Sequence, residues 1–265
     1  MMRQAVIGQF IPGNSFLHRL DPRTKITALT LYVIILFFAV GWGYAAMAGL
    51  ALLGVVAGRL PLRYILEGLR PLVFLLIITM AFQVFLTPGT VIWHLGILKV
   101  TREGLVQGLY MALRLLLLVM TTSLLTLTTS PIALTDGLES MMRPFARLGV
   151  PAHEFAMMMT IALRFIPTLI EEADKIMKAQ MARGAEFSSG GLTARARSLL
   201  PILVPLFVGA FRRADELALA MEARCYRGGE GRTRMRQLKV HAVDFVALAV
   251  TVGVAALVWR LRRGV

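Results

Sequence analysis

Long apolar runs alternate with short basic segments along this chain. Residues 26 to 58 carry no charge, nor do residues 71 to 98 or 245 to 259, and residues 104 to 135 carry only Arg114. About 20 residues cross the hydrocarbon of a bilayer, so each run is long enough for one spanning helix or a hairpin of two. Gly41, Trp42 and Gly43 interrupt the first run near its middle, which predicts a hairpin of two short helices. A third span is predicted near 71 to 86 and a fourth near 104 to 128, joined by an outer loop, TPGTVIWHLGILKVTRE; a fifth is predicted near 240 to 259. Arg19, Arg23 and Lys25 before the first run, and Arg59, Arg63 and Arg70 after the hairpin, place those segments on the cytoplasmic side. Trp42 and Trp93 then fall in outer loops, at the level of an aromatic belt. Five spans leave the tail WRLRRGV outside, against the positive-inside rule, which the earlier loops dominate.

From residue 130 to 239 the pattern changes. Most of the carboxylates and more than half of the basic residues lie here, so the stretch reads as a large cytoplasmic insertion. Its two long helical patterns have apolar first halves, EFAMMMTIALRFIPTLI and SLLPILVPLFVGAF, and charged second halves, EEADKIMKAQMARGAEF and RRADELALAMEARCYRGG. A helix polarised end to end can hold one half at the membrane boundary and project the other into the cytosol. The expected fold is an all-α polytopic membrane protein with about five transmembrane helices and a cytoplasmic domain of long helices. Its expected divisions are a membrane domain at 1–129 with a cytoplasmic N-terminus, the cytoplasmic domain at 130–237, and a last transmembrane helix with its tail at 238–265.

Composition agrees with a bilayer: 57% of residues are hydrophobic and mean hydropathy is +0.70. The net charge of +14 would suggest nucleic acid on a soluble protein. Here the basic residues flank apolar runs and no basic-aromatic module is present, so they read as retention beside anionic lipid, with no nucleic-acid partner. The N-terminal MMRQAVIGQFIPGNSFLHRLDPRTK breaks up any apolar stretch and shows no small-residue cleavage site, unlike a cleaved secretory signal. The single cysteine, Cys225, excludes an internal disulfide.

The two charged half-helices end alike. Residues 179 to 184 are AQMARG and residues 220 to 225 are AMEARC, each alanine-x-x-alanine-arginine followed by a small residue. Alanines one and four residues before an arginine lie near its face of the helix, leaving one long cation on a smooth surface. Pro167 precedes Arg183 by 16 residues and Pro205 precedes Arg224 by 19, roughly 24 and 28 Å along unbroken helices. Gly184, SSGG at 188 to 191 and RGGEG at 227 to 231 predict that both helices stop soon after their arginines. An arginine near a helix end followed by glycine is commonplace as a cap. Two copies on two helices of the same build point instead to a two-pronged contact, in which small residues allow close approach and each arginine gives directional hydrogen bonds.

With those residues in view, the sequence resembles the transmembrane T component, the EcfT family, of energy-coupling factor (ECF) transporters, ABC-type importers of vitamins and trace metals. The resemblance runs through LHRLDPRTKI at 17 to 26, LTDGLESMMRPFARLGVP at 134 to 151, ALRFIPTLIEEADKIMKAQMARGAEF at 162 to 187 and LLPILVPLFVGAFRRADELALAMEARCYRGG at 199 to 229. It implies a membrane part joined to a cytoplasmic coupling domain of long helices, in the cell membrane of a bacterium or archaeon. It further implies two ABC ATPase subunits as partners, each receiving one signature arginine, and a substrate-binding membrane S component. Residue by residue, the first ATPase-docking signature maps to Ala182, Arg183 and Gly184 and the second to Ala223, Arg224 and Cys225. Cysteine stands where the family has glycine, which puts the geometry of the second helix end in doubt, since a left-handed cap suits glycine better.

Little else carries chemistry. A phosphate-binding G-x-x-x-x-G-K-[ST] loop needs Gly-Lys, and none of the five lysines follows glycine. ATP hydrolysis is therefore expected on other chains, the subunit being non-catalytic. His18, His94, His153 and His241 are scattered, with no zinc-ligand spacing, and no metal or cofactor is expected. The acidic groups Glu171, Glu172 and Asp174, and Asp215 with Glu216, read as solvated faces. Arg114, inside a span, serves either a partner contact or the stability of the bundle. Met157, Met158 and Met159 offer a soft surface suited to a membrane partner that is gripped and released. The alternative reading is a self-sufficient carrier or channel with a regulatory cytoplasmic domain, for which Arg114, Gln83 and scattered Thr and Ser offer the only polar pathway. A membrane-bound enzyme would need a convergent catalytic set that the sequence lacks.

Overall fold

Asp21-Pro22 starts the first long helix by two local devices. The Asp21 carboxylate accepts from the backbone N–H of Arg23 at 2.9 Å, and Pro22 occupies the first turn, where its missing N–H leaves nothing unpaired. In the computed structural model, which describes residues 10–95, 98–185, 187, 191–228, 238 and 240–263, a short α1 (Phe16–Arg19) precedes α2 (Pro22–Phe38), α3 (Gly43–Gly58) and α4 (Leu62–Leu86). Strands β1 (Val91–Leu95) and β2 (Leu98–Thr101) follow, then α5 (Arg102–Thr128) and α6 (Pro131–Met142). A 3-10 turn (Arg143–Leu148), α7 (Ala152–Ala182), α8 (Leu192–Ala223) and α9 (Ala242–Arg263) complete the chain. Of the N-terminal stretch read as a non-signal, residues 1–9 lie outside the described set.

Two compact units result. One comprises Met1–Gly137 with Gln237–Val265, the other Leu138–Arg236. Four helices, within Gly68–Leu86, Arg102–Thr128, Ala152–Ala182 and Ala242–Arg263, are long and apolar enough to cross a membrane, and the shorter α3 is apolar throughout. The chain is thus an all-α polytopic membrane protein.

In the first unit α2, α3, α5 and α9 share a core. Tyr44, Met47, Ala51 and Val55 recur every three or four residues along α3 and are buried with Tyr32 and Leu36 of α2, Leu117, Met120, Leu124 and Leu127 of α5, and Val258 of α9. Such spacing puts one stripe of a helix against its neighbours. Lipid tails are as apolar as leucine, so close packing of small residues matters more than apolarity here. Gly104 of α5 illustrates it: a Cβ there would lie 2.5 Å from the Gln83 carbonyl oxygen of α4. Any larger residue would force α4 and α5 apart.

Polar clamps fix which helix ends meet. Lys25 Nζ at the start of α2 donates to the Thr128 carbonyl at 3.0 Å and to Thr129 Oγ1 at 3.1 Å, at the end of α5. Asp244 at the start of α9, fully buried, accepts from the backbone N–H of Asp21 at 2.8 Å and of His241 at 2.7 Å. At the far end Phe38 of α2 meets the Trp259 ring edge-on at 6.1 Å, and the Arg262 guanidinium lies 5.1 Å over Phe38. Helix α9 therefore runs parallel to α2.

The structure differs from the sequence reading in three places. The expected outer loop contains a two-stranded antiparallel hairpin, with Trp93 opposite Val100 and His94 opposite Lys99. Strand β1, VIWHL, ends an uncharged run with no regular polar alternation, and β2, LKVT, alternates over only four residues, the shortest stretch at which that pattern argues a strand. The hairpin is tied to α5 by Glu103, whose carboxylate accepts from Thr90 N–H at 2.7 Å and Thr90 Oγ1 at 3.0 Å. Helix α4 begins at Leu62 rather than near 71, taking in Arg63 and Arg70. Helix α8 begins at Leu192, six residues before the apolar stretch that announced it.

Candidate functional site

The paired helix ends lie in the second unit, on α7 and α8. Helix α7 is one 31-residue helix that continues through Pro167, and α8 is one 32-residue helix that continues through Pro201 and Pro205. Ala182 and Ala223 are their last helical residues, and Arg183 and Arg224 the caps.

Both ends close by the same hydrogen bonds. On α7 the N–H of Gly184 donates to the Met181 carbonyl at 3.0 Å and the N–H of Ala185 reaches back to Gln180 at 3.0 Å. On α8 the N–H of Cys225 donates to Glu222 at 2.8 Å and the N–H of Tyr226 reaches back to Met221 at 3.0 Å. This pair of bonds is the Schellman closure, which needs a left-handed residue just after the cap. Gly184 supplies it at φ 88°, and Cys225 supplies it at φ 57°. The doubt over the second end is thereby answered: cysteine adopts the conformation the motif requires, at a backbone penalty that glycine does not incur.

All six residues, Ala182, Arg183, Gly184, Ala223, Arg224 and Cys225, are exposed. Neither Arg183 nor Arg224 has an ion-pair partner among the described residues, none of which takes up the guanidinium fork of donors. Ala179 and Ala220, a turn earlier, are also exposed. Of the stop signals, Gly191 lies within the described residues and Ser188, Ser189 and Gly190 outside them; Arg227 and Gly228 lie within and Gly229 to Gly231 outside.

One contact between α7 and α8 was not read from the sequence. Arg213 Nη2 of α8 meets Glu172 Oε2 of α7 at 2.6 Å, with both side chains about a quarter to a third exposed. Gly209 lies against the same carboxylate, where a Cβ would come within 2.9 Å of Oε1. Glu172 is thus a link between helices, not a solvated face. Its signal in the sequence was slight: Glu172 precedes Arg183 by eleven residues, and Arg213 precedes Arg224 by eleven.

Comparison with known proteins settles the family. The family model for cobalt transport protein, CbiQ, matches residues 13–235. The energy-coupling factor transporter transmembrane protein EcfT of Thermosediminibacter oceani is 59% identical over 251 residues, covering 94% of this chain and 95% of that protein. Those of Acidaminococcus fermentans and Bacillus subtilis are 54% and 48% identical, each over 264 residues and at least 98% of both chains. The chain belongs to the EcfT family. It is the transmembrane component of an energy-coupling factor transporter.

For an EcfT-family protein the remaining charge inside a span, Arg114, is accounted for within its own unit. Its Nη2 donates to the Tyr44 hydroxyl at 2.8 Å, and its guanidinium lies 5.3 Å over the Phe37 ring. Tyr44 stacks on Tyr110 at 5.1 Å, nearly parallel. Arg114 therefore clamps the turn between α2 and α3 to α5, the stabilising half of the two roles its position allowed.

Proposed function

We propose that this transmembrane component couples two ABC ATPase subunits to a membrane-embedded S component, importing a vitamin or trace metal ion across a bacterial or archaeal cell membrane. Arg183 and Arg224 each dock in a groove of one ATPase, with Ala182 and Gly184, and Ala223 and Cys225, giving the clearance for close approach. When the ATPases close on ATP, α7 and α8 follow, and their apolar halves, with Met157 to Met159 among them, pass the motion to the S component, which reorients and releases its cargo. The chain converts work on this reading, and the specificity for cargo lies on the S component.

The observation that carries the proposal is the matched ending of α7 and α8, two exposed arginines presented by the same Schellman closure. A structural cap would not need to be repeated with the guanidinium exposed and without an ion-pair partner among the described residues. Arg183→Glu combined with Arg224→Glu should abolish co-purification of the ATPases while the chain still inserts, because each swap replaces a donor fork by a like charge facing the partner's acceptors. Normal recovery of ATPases with that variant would overturn the docking role. The chain purified alone should neither bind nor hydrolyse ATP; turnover in a preparation free of other chains would assign the chemistry here instead. An affinity pull-down from the native membrane would identify the S component, and with it the cargo.

A further inference from the structure

Between α2, α3, α5 and α9 the first unit holds an apolar cavity of about 240 Å³, walled by side chains such as Leu29, Leu50, Leu53, Leu124 and Val250. The polar groups at its edge are engaged: Lys25 donates to Thr128 and Thr129, and Tyr32 Oη donates to the Met47 carbonyl at 3.1 Å. A polar ligand or an ordered water would find few partners there. Leu53, Val246 and Val250 are exposed, so the cavity opens toward the side of the bundle, where acyl chains lie.

A second recess of about 610 Å³ adjoins it, with Asn14, Ser15, Arg19 and Arg59 in its wall. Phe16 and Ala57 line both, so the two lie side by side along the same wall. Arg59 follows the last residue of α3 in the left-handed conformation, φ 48°, and Arg19 ends α1. Both are exposed, and neither has an ion-pair partner among the described residues. Two arginines at the mouth of a hydrocarbon slot, at the end of the bundle where α2 and α9 begin and α3 and α5 stop, match one chemistry: an anionic head on an apolar tail.

We propose that this composite recess binds one anionic phospholipid, its acyl chain in the cavity and its phosphate between Arg19 and Arg59. The surrounding bilayer is as apolar as the cavity, so the chain sets placement and the head group decides selection. Guanidinium groups suit a phosphate because they can donate in pairs.

The test uses the full-length chain in mild detergent, incubated with mixed micelles of phosphatidylglycerol and phosphatidylcholine in equal amounts, with retained lipid read by native mass spectrometry. Phosphatidylglycerol should be retained over phosphatidylcholine by about tenfold, because both carry a phosphate but the choline cation cancels the head-group charge beside the two arginines, whereas the glycerol head stays anionic. Arg19→Gln with Arg59→Gln should bring the ratio near parity, while Arg19→Lys with Arg59→Lys keeps most of it. Ala247→Phe, which fills the cavity from α9 without altering charge, should lower retention of the lipid. Equal retention of the two lipids by the unaltered chain would overturn the proposal, as would full retention in Ala247→Phe. Displacement of the phosphatidylglycerol by millimolar glycerol phosphate or inorganic phosphate would also overturn it, by revealing a free-anion site; that arm needs no variant and stands if the double glutamine protein fails to fold.

Discussion

Cys225 shows at the scale of one residue how far a motif can bend. A non-glycine residue in the left-handed region is disfavoured by about 1–2 kcal/mol, and Cys225 sits there at φ 57° so that its N–H and that of Tyr226 can close α8. Glycine loses about 0.5–1 kcal/mol more backbone entropy on folding, so Cys225→Gly should stabilise the end of α8 by a net ~0.5–1 kcal/mol. Slower amide exchange at residues 224 to 226, with ATPase co-purification unchanged, is the expected result. Faster exchange would mean that the thiol contributes packing not captured by its exposure. Arg114 carries the opposite lesson, a cation whose position in a span left a partner contact and bundle stability both open and whose partners are Tyr44 and Phe37. Arg114→Met keeps the stem and removes the hydrogen bond and the ring contact, a loss of ~1–3 kcal/mol. The melting temperature in detergent should fall by several degrees; an unchanged melt with lost transport would return Arg114 to a partner-contact role.

At the scale of elements, the link between Glu172 and Arg213 stands eleven residues from each arginine tip, roughly 16 Å along either helix. Equal lever arms on both sides of one contact would let α7 and α8 hold their two tips at a fixed separation. Removing one partner of this partly buried pair leaves a charge without its mate, so Glu172→Gln should cost ~1–2 kcal/mol. It should also weaken ATP-driven uptake in the reconstituted complex. Exchanging the charges, Glu172→Arg with Arg213→Glu, should recover most of both; failure of the exchange to recover either would leave Glu172 with a role other than this pair. Such a contact was illegible in the sequence because it depends on the register between two helices, whereas their endings were legible because alanine, arginine and a small residue act locally. The same division holds elsewhere. Gly41-Trp42-Gly43 announced the turn between α2 and α3, but the β1–β2 hairpin was hidden because β1 continues an apolar run and β2 alternates over only four residues, and Leu62 as the start of α4 lay among charges that read as loop.

For the whole molecule, the polar clamps set the direction of α9 relative to α2, the helix whose end charge counting left in conflict with itself. Lys25 and Asp244 gather the starts of α2 and α9 with the end of α5 at one pole, the pole that also carries Arg19 and Arg59. The opposite pole receives the end of α9, where Arg262 and Arg263 lie over Phe38 and Trp259 at 5.1 to 6.0 Å. If the pole that carries Arg19 and Arg59 is cytoplasmic, those ring contacts hold the basic tail on the side the positive-inside rule disfavours, each contributing roughly 0.5–1 kcal/mol at an exposed site. The native sequence offers a test, because Cys225 is its one cysteine and is exposed. In intact cells a membrane-impermeant maleimide should leave Cys225 unlabelled and should label Arg263→Cys in a background where Cys225 is replaced by serine. After permeabilisation of cells that lack the ATPase subunits, Cys225 should label as well. Labelling of Cys225 from outside would place α7 and α8 on the wrong side for the ATPases; protection of Arg263→Cys until permeabilisation would mean that α9 does not carry its end across the bilayer, and that the parallel course of α2 and α9 belongs to a helix lying within one leaflet.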